Sequence, residues 1–194
     1  MLDFSVAFTL VILLSPILIV VSLIILVMDG TPVLFRQDRP GLNEKKIRIF
    51  KFRTMNKGGS DDPAADFQRI TRLGAILRRT SLDELPQLFN VLRGELSLVG
   101  PRPLLMEYLP LYNSRQKKRH LVKPGITGWA QVNGRNLLTW EQKFEYDVWY
   151  VENWSLLLDI KILFRTFLKV IKSSDTNAGE NVTMQKFKGS NSNV

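Results

Sequence analysis

The chain has 194 residues, 45% of them hydrophobic and 23% charged, with a net charge of +9, no cysteine and a single histidine. The missing cysteines exclude disulfides, thiolate nucleophiles and zinc–thiolate sites, and one histidine, His120, excludes a His-rich metal cluster and is all that a Ser-His-Asp triad could draw on. Any catalysis falls to carboxylates, Lys, Arg, hydroxyls or a bound cation.

From Phe4 to Met28 run 25 residues without a formal charge, nearly all apolar. As a helix rising ~1.5 Å per residue the run would reach roughly 38 Å, more than the about 30 Å of a bilayer's hydrocarbon core. It is too long for the core of a signal peptide, no basic stretch precedes it, and no small-x-small site follows before Asp29-Gly30. A soluble core helix with no polar face over this length fits poorly in so small a chain, so a membrane segment is expected. Ser15-Pro16 stands at its middle. Proline removes an N–H and kinks a helix, and in lipid the freed carbonyl takes another donor, commonly a serine hydroxyl. Two topologies follow: a kinked spanning helix with its N-terminus outside the cell, or a re-entrant helix that turns at Ser15-Pro16 and returns to the face it entered. Between Gly30 and Gly58, eight basic residues (Arg36, Arg39, Lys45, Lys46, Arg48, Lys51, Arg53, Lys57) face only Asp38 and Glu44. By the positive-inside rule this flank, and the globular remainder, are cytoplasmic.

Pro32 to Met55 reads as a hairpin: Val33-Leu34-Phe35, a turn at Pro40-Gly41-Leu42-Asn43, then a strand from Lys46 whose alternation slips at Phe50 and suggests a bulge. Lys57 to Asp66 is a loop. Leu73 to Arg79 is a short helix, and a second helix follows Ser81 and ends at Arg93-Gly94, with glycine as its C-cap. Gly100-Pro101-Arg102-Pro103 is a stiff turn into a third helix through Tyr112. Turns at Lys123-Pro124-Gly125 and Asn133-Gly134-Arg135 bracket an expected strand, Trp129 to Val132. In Trp154 to Lys172 the basic residues Lys161, Arg165, Lys169 and Lys172 share one helical face, and Leu, Ile and Phe fill the rest. That pattern suits either a helix lying on an anionic membrane surface or a core-packed helix with a solvated basic face. The run Arg115-Gln116-Lys117-Lys118-Arg119 reads as solvated or as touching lipid head groups. Beyond Ser173 the tail is rich in Ser, Asn, Thr and Gly and is expected to be weakly ordered.

The densest chemical constellation is Arg78-Arg79-Thr80-Ser81-Leu82-Asp83-Glu84-Leu85-Pro86-Gln87. Ser81-x-x-Glu84 matches a capping box, but Pro86 would then fall where its missing N–H is needed. A helix starting at Asp83 puts Pro86 in the first turn, where proline is tolerated, and leaves two carboxylates at a helix mouth beside two arginines. Such a mouth suits phosphate chemistry: dipole and free N–H groups favour an anion, and arginines clamp phosphoryl oxygens. A carboxylate can bind Mg²⁺ or itself attack phosphorus. Walker A and Gly-rich dinucleotide motifs are absent. A competing reading is a non-enzymatic, membrane-anchored basic adaptor that binds anionic lipid or nucleic acid.

Ser81-Leu82-Asp83-Glu84-Leu85-Pro86-Gln87-Leu88-Phe89-Asn90-Val91-Leu92 and Leu96-Ser97-Leu98-Val99-Gly100-Pro101-Arg102-Pro103 together resemble the signature of bacterial sugar transferases, the monotopic polyprenyl-phosphate phosphoglycosyl transferases. The likeness extends to Arg39-Pro40-Gly41, Lys51-Phe52-Arg53-Thr54-Met55, Lys123-Pro124-Gly125-Ile126-Thr127-Gly128 and Gln131-Val132-Asn133-Gly134-Arg135. The small size, Glu107-Tyr108-Leu109-Pro110, Phe144-Glu145-Tyr146-Asp147 and Lys186-Phe187 look most like its undecaprenyl-phosphate bacillosamine phosphotransferase branch. The resemblance implies a mostly helical α+β monotopic membrane protein at the cytoplasmic face of the bacterial inner membrane. Residues 1–29 would form a re-entrant helix broken at Ser15-Pro16, residues 30–172 a catalytic domain with a small β-hairpin and interfacial amphipathic helices, and residues 173–194 a tail. It implies a ping-pong transfer of a sugar 1-phosphate from a UDP-sugar, such as UDP-N,N'-diacetylbacillosamine or another UDP-N-acetylhexosamine, to undecaprenyl phosphate. Asp83 would be the nucleophile and UMP the first product; Glu84 would assist, with Asp83 and Glu84 holding Mg²⁺. Lys51, Arg78, Arg102 and Arg135 would bind substrate phosphates. The partners implied are the two substrates and the phospholipid membrane, with no nucleic acid; a homo-oligomer is left open. Family members usually carry a basic amphipathic stretch ahead of the apolar segment, where only Met1-Leu2 precede Asp3 here, so a trimmed or misplaced start is expected.

Overall fold

A computed structural model describes residues 2–56, 58, 68–134, 137–172 and 186–189. The apolar run forms one helix, α1 (Leu2–Met28), about 40 Å long at ~1.5 Å per residue. Among the described residues it is the one helix long and apolar enough to cross a membrane. Its buried or half-buried positions Ala7, Val11, Leu14, Leu18, Val21 and Ile25 recur every three or four residues, so a single seam of the helix faces the body. The expected break at Ser15-Pro16 is absent as an interruption: Pro16 lies inside the helix. Proline frees the carbonyl of Ile12, and the Ser15 hydroxyl donates to that carbonyl at 2.8 Å, which offsets the lost ladder bond locally. Both ends of α1 are tied to the same body. The Asp3 carboxylate accepts from the Ser97 hydroxyl at 2.8 Å and the Leu98 N–H at 3.4 Å. At the other end Thr71 donates to Asp29 at 3.1 Å, and Arg53 donates to the carbonyls of Asp29, Gly30 and Thr31.

The hairpin is β1 (Leu34–Pro40) and β2 (Lys46–Phe52), antiparallel, joined by a 3₁₀ turn at Leu42–Glu44. Its register runs from Leu34 opposite Phe52 to Pro40 opposite Lys46 without a bulge. The alternation slips because both faces of the strand end are buried: Ile49 enters the core shared with α1's first half, Phe52 the core shared with its second half. Helix α2 (Arg72–Arg79) starts at Thr71, whose hydroxyl accepts from the Gly74 N–H at 2.9 Å. A 3₁₀ segment (Leu82–Gln87) and α3 (Leu88–Leu92) follow where one helix was expected.

A second small sheet pairs β3 (Ser97–Val99) in parallel with β4 (Gly125–Thr127). The expected third helix through Tyr112 is a 3₁₀ segment, Met106–Leu111, followed by α4 (Ser114–Lys117) and a 3₁₀ turn at Lys118–Leu121. The expected strand at Trp129 to Val132 is helix α5 (Trp129–Asn133), bracketed by Gly128 and Gly134, and the strand is displaced to Gly125–Thr127. Two longer helices close the fold, α6 (Trp140–Glu152), begun by a Thr139/Gln142 capping box, and α7 (Leu156–Lys172). Among the described residues of the tail, Phe187 is buried and packs among Tyr108, Tyr112 and Phe144.

Helix α7 packs into the core through Leu158 and Ile162 and leaves much of its remaining apolar surface outside. Arg165 and Lys161 lie 5.2 and 5.7 Å from the centroid of the Trp129 ring, and Arg165 donates to Asn133 at 3.2 Å. Leu157, Ile160, Phe164, Phe167 and Ile171 point outward, with Phe164 61% and Phe167 62% exposed. The run Arg115 to Arg119 is also not simply solvated, because Arg119 is buried while Arg115 and Lys118 pair with Glu145 and Glu152.

Candidate active site

Three segments bring cations around the one that carries Asp83 and Glu84. Strand β2 delivers Lys51, α2 delivers Arg78, the 3₁₀ segment carries the two carboxylates, and the Pro101–Pro103 turn carries Arg102. The strand is held by Asn90 of α3, which is fully buried. Its side-chain amide donates to the Arg48 carbonyl at 2.8 Å and accepts from the Phe50 N–H at 3.1 Å, pairing with the free edge of β2 as another strand would. Helix α2 sits against the chain leaving β2 because Gly74 has no side chain; a Cβ there would overlap the Thr54 backbone. One turn on, the Arg78 Nε donates to Thr54 Oγ1 at 2.9 Å.

The capping box suggested by Ser81 and Glu84 does not form. Ser81 adopts a left-handed conformation (φ 56°) and its side chain caps nothing, a conformation that costs a non-glycine residue about 1 kcal/mol or more. The Glu84 side chain instead turns to two cations: Oε1 accepts from Lys51 Nζ at 2.6 Å and from Arg102 at 2.7 Å. The Arg102 turn is fixed from below by the β3–β4 pair. Gly100 N–H donates to the Thr127 carbonyl at 2.9 Å and Gly125 N–H to the Pro101 carbonyl at 3.1 Å, and a Cβ on either glycine would overlap the facing backbone.

The electrostatics separate the adjacent carboxylates. Burial alone would raise Glu84, but Arg102 and Lys51 outweigh it and hold the carboxyl at about 2. Asp83 goes the other way: burial and the neighbouring Glu84 charge raise it, only partly countered by Lys51, Arg102 and Arg78. Burial and Arg102 lower Lys51. Two further cations feel the charge of Arg102: Arg39 is pushed down to about 10 by burial and by Arg102, and Lys143 of α6 is lowered by the same causes in the same order. Cations thus crowd around two carboxylates, an arrangement that favours a ligand with several negative charges.

The family model for bacterial sugar transferases matches residues 1–173. The chain belongs to that family. It is 56% identical over 163 residues to an uncharacterised sugar transferase, EpsL, of Bacillus subtilis, covering 83% of this chain and 81% of that one. It is 44% identical over 179 residues to a UDP-glucose:undecaprenyl-phosphate glucose-1-phosphate transferase of Klebsiella pneumoniae, covering 86% of this chain and 38% of the relative. It is also 40% identical over 185 residues to a UDP-galactose-lipid carrier transferase of Erwinia amylovora, covering 86% and 39%. The chain therefore spans about two fifths of these last two proteins. Membership makes the protein an enzyme of sugar transfer, not an adaptor.

Of the residues the sequence singled out in this transferase, Lys51, Glu84 and Arg102 are in direct contact and Asp83 is adjacent in the chain. Arg78 reaches Thr54 and lies close enough for its charge to act on Asp83. Arg135 falls outside the described residues. Ser15 and Pro16 lie in α1, away from the carboxylates in sequence and in role. Asn90, Thr54, Arg39 and the buried pair Arg119–Asp147 were not singled out as site residues, although Asn90, Thr54, Arg39 and Asp147 stand inside the family-like motifs. Arg119 carried no signal beyond a basic run.

Proposed function

We propose that this transferase moves a sugar 1-phosphate from a UDP-sugar to undecaprenyl phosphate through a covalent phosphosugar on Asp83. In the first half-reaction an Asp83 carboxylate oxygen bonds to the sugar-linked phosphorus, and the bond from that phosphorus to the bridging oxygen breaks. UMP leaves with the bridging oxygen and its electron pair. In the second, a phosphate oxygen of undecaprenyl phosphate bonds to the same phosphorus, Asp83 leaves as carboxylate, and the sugar-diphospho-lipid departs.

The observation that supports this best is the division of labour between the carboxylates. Glu84 is fully ionised and committed to Lys51 and Arg102, while Asp83 beside it carries the more basic, hence more nucleophilic, carboxylate. In this reading Lys51, Arg102 and Arg78 bind the phosphates of donor and acceptor and neutralise oxygens that would repel an anionic nucleophile. Among the described residues no group of three or more metal-ligating side chains occurs. An adjacent carboxylate pair nonetheless fits Mg²⁺, which takes one or two carboxylates together with substrate phosphates. Asp83 and Glu84 would hold it, and when bound it supplies charge neutralisation at the phosphoryl oxygens.

The outward apolar faces of α1 and α7 suit a lipid-bound acceptor, and both ends of α1 bond to the body. We therefore place the enzyme on one face of the bacterial cytoplasmic membrane, the cytoplasmic one by its basic flank, and not with its N-terminus across it. Relatives named for glucose and galactose transfer widen the donor beyond the diacetylbacillosamine suggested by branch likeness.

The test measures UMP release from a panel of UDP-glucose, UDP-galactose, UDP-N-acetylglucosamine and UDP-N,N'-diacetylbacillosamine, with Mg²⁺ and detergent-solubilised enzyme. Intact-protein mass spectrometry follows before the acceptor is added. One donor should release UMP and leave a phosphosugar adduct that disappears with undecaprenyl phosphate, and Asp83→Asn should do neither. UMP release by Asp83→Asn at the wild-type rate would end the nucleophile assignment.

A further inference from the structure

We infer that the buried Arg119–Asp147 pair is a positioning device for Arg102, the arginine that grips Glu84, and that α6 is thereby coupled to the phosphate site. The inference rests on the phosphosugar-transfer reading for what Arg102 does, but its geometry stands apart from that reading.

The pair is sealed from solvent, with side chains 1% and 5% exposed. Arg119 Nε and one terminal nitrogen donate to the same Asp147 oxygen, Oδ2, at 3.1 and 2.8 Å. That terminal nitrogen also donates to the backbone carbonyl of Arg102 at 2.6 Å. An ion pair serving only its own neutralisation would direct the guanidinium fork at both carboxylate oxygens; here part of the fork is spent on another backbone. The guanidinium is braced by the Tyr112 and Phe144 rings, each 5.8 Å from its carbon.

The target of that bond is well chosen. Pro101 and Pro103 flank Arg102 and carry no N–H, so carbonyls are the main backbone handles of this turn. The Pro101 carbonyl is held by Gly125, and the Arg102 carbonyl by Arg119. The Arg102 side chain is 45% exposed and its head is bonded to Glu84. Where its Cα is fixed therefore decides whether the head reaches Glu84 and an incoming phosphate. A displacement of about 1 Å at such a group can cost on the order of 100-fold in rate.

The test is a double-mutant cycle on UMP release. Arg119→Lys keeps the charge beside Asp147 but lacks the fork needed to reach two acceptors. It should remain folded, with kcat/KM down roughly 10- to 100-fold, the range typical of residues that orient a reacting group. In an Arg102→Ala background the same substitution should cost no more than about 2-fold, since the residue it positions is gone. An equal loss in both backgrounds, or no loss in either, overturns the inference. If Arg119→Lys does not fold, Arg119→Met with Asp147→Leu removes both charges together, a change buried pairs often tolerate, and enters the same cycle with the same two outcomes.

If the wild-type chain releases no UMP from any donor, it is the transfer reading that fails. Positioning is then read by hydrogen exchange at the amides of Arg102, Leu104 and Gly125. Exchange at least about 10-fold faster in the variant, with global protection unchanged, supports it; unchanged local exchange overturns it.

Discussion

Replacing Glu84 with Gln should destabilise this protein, whereas replacing the adjacent Asp83 with Asn should not. The Glu84 carboxyl is held at about 2 against an ordinary 4.5, so its charge favours the folded state. At 1.36 kcal/mol per pH unit the shift corresponds to about 3 kcal/mol. Because Arg102 is nearly half exposed, screening reduces this, and about 2 kcal/mol is the working figure. The contribution is fully present above the unfolded-state value near 4.5 and is lost as pH falls toward 2. Asp83 is raised, so at neutral pH its ionised form opposes folding, and Asp83→Asn should be neutral or stabilising while abolishing transfer. The measurement is thermal unfolding in detergent at pH 3, 5 and 7. Glu84→Gln should lower the midpoint by about 5 °C or more at pH 7 for a chain of this size, and the deficit should shrink at pH 3. A deficit that is equal at all three values, or an Asp83→Asn variant less stable than Glu84→Gln, would refute the opposed roles assigned to the two carboxylates.

The acid limb of kcat/KM should lie above the ordinary Asp value, because Asp83 must be ionised to attack and its carboxyl is raised by burial and by Glu84; a limb at or below 3.8 would remove Asp83 as the titrating group. Gly74→Ala should drive α2 off the Thr54 backbone and carry Arg78 with it, costing about 1–3 kcal/mol by overpacking and lowering activity; a silent Gly74→Ala in urea unfolding and in UMP release would show that this contact is not tight. Phe164→Asp with Phe167→Asp, both on the exposed face of α7, should leave the unfolding midpoint within about 1 °C, since surface changes cost little. The same pair should reduce sedimentation with anionic vesicles, and unchanged sedimentation would mean that this face is not turned to lipid.

Several local rules in the sequence hold in the structure, although the capping box at Ser81 does not form. The hairpin around Pro40-Gly41, the Thr71-capped helix ending at Arg79 and the stop at Gly94 all rest on turn and cap residues that act within a few positions. Short apolar stretches were ambiguous. Trp129 to Val132, bracketed by turns, reads as a short strand, yet it folds as a helix between two glycines and its Trp129 ring meets Arg165 of α7. The bulge expected at Phe50 rested on the assumption that a strand has one buried face, and β2 buries residues on both faces at its end, Ile49 in one core and Phe52 in the other. Arg119 was hidden for a similar reason: a basic run looks solvated until Asp147, 28 residues on, is folded against it.

The absent cysteines and the solitary histidine already left the chemistry to carboxylates, hydroxyls and cations, and the Asp83-Glu84 motif singled out a carboxylate pair. Composition and local spacing suffice for that, because they report which groups exist and which lie side by side in the chain. Which carboxylate does which task was decided only by tertiary structure. Glu84 is ionised because β2 and the Pro101–Pro103 turn bring Lys51 and Arg102 to one of its oxygens, and Asp83 is raised because the same folding buries it beside that charge. Those are interactions between segments 18 and 33 residues apart, and no local pattern encodes the distance that the fold closes between them.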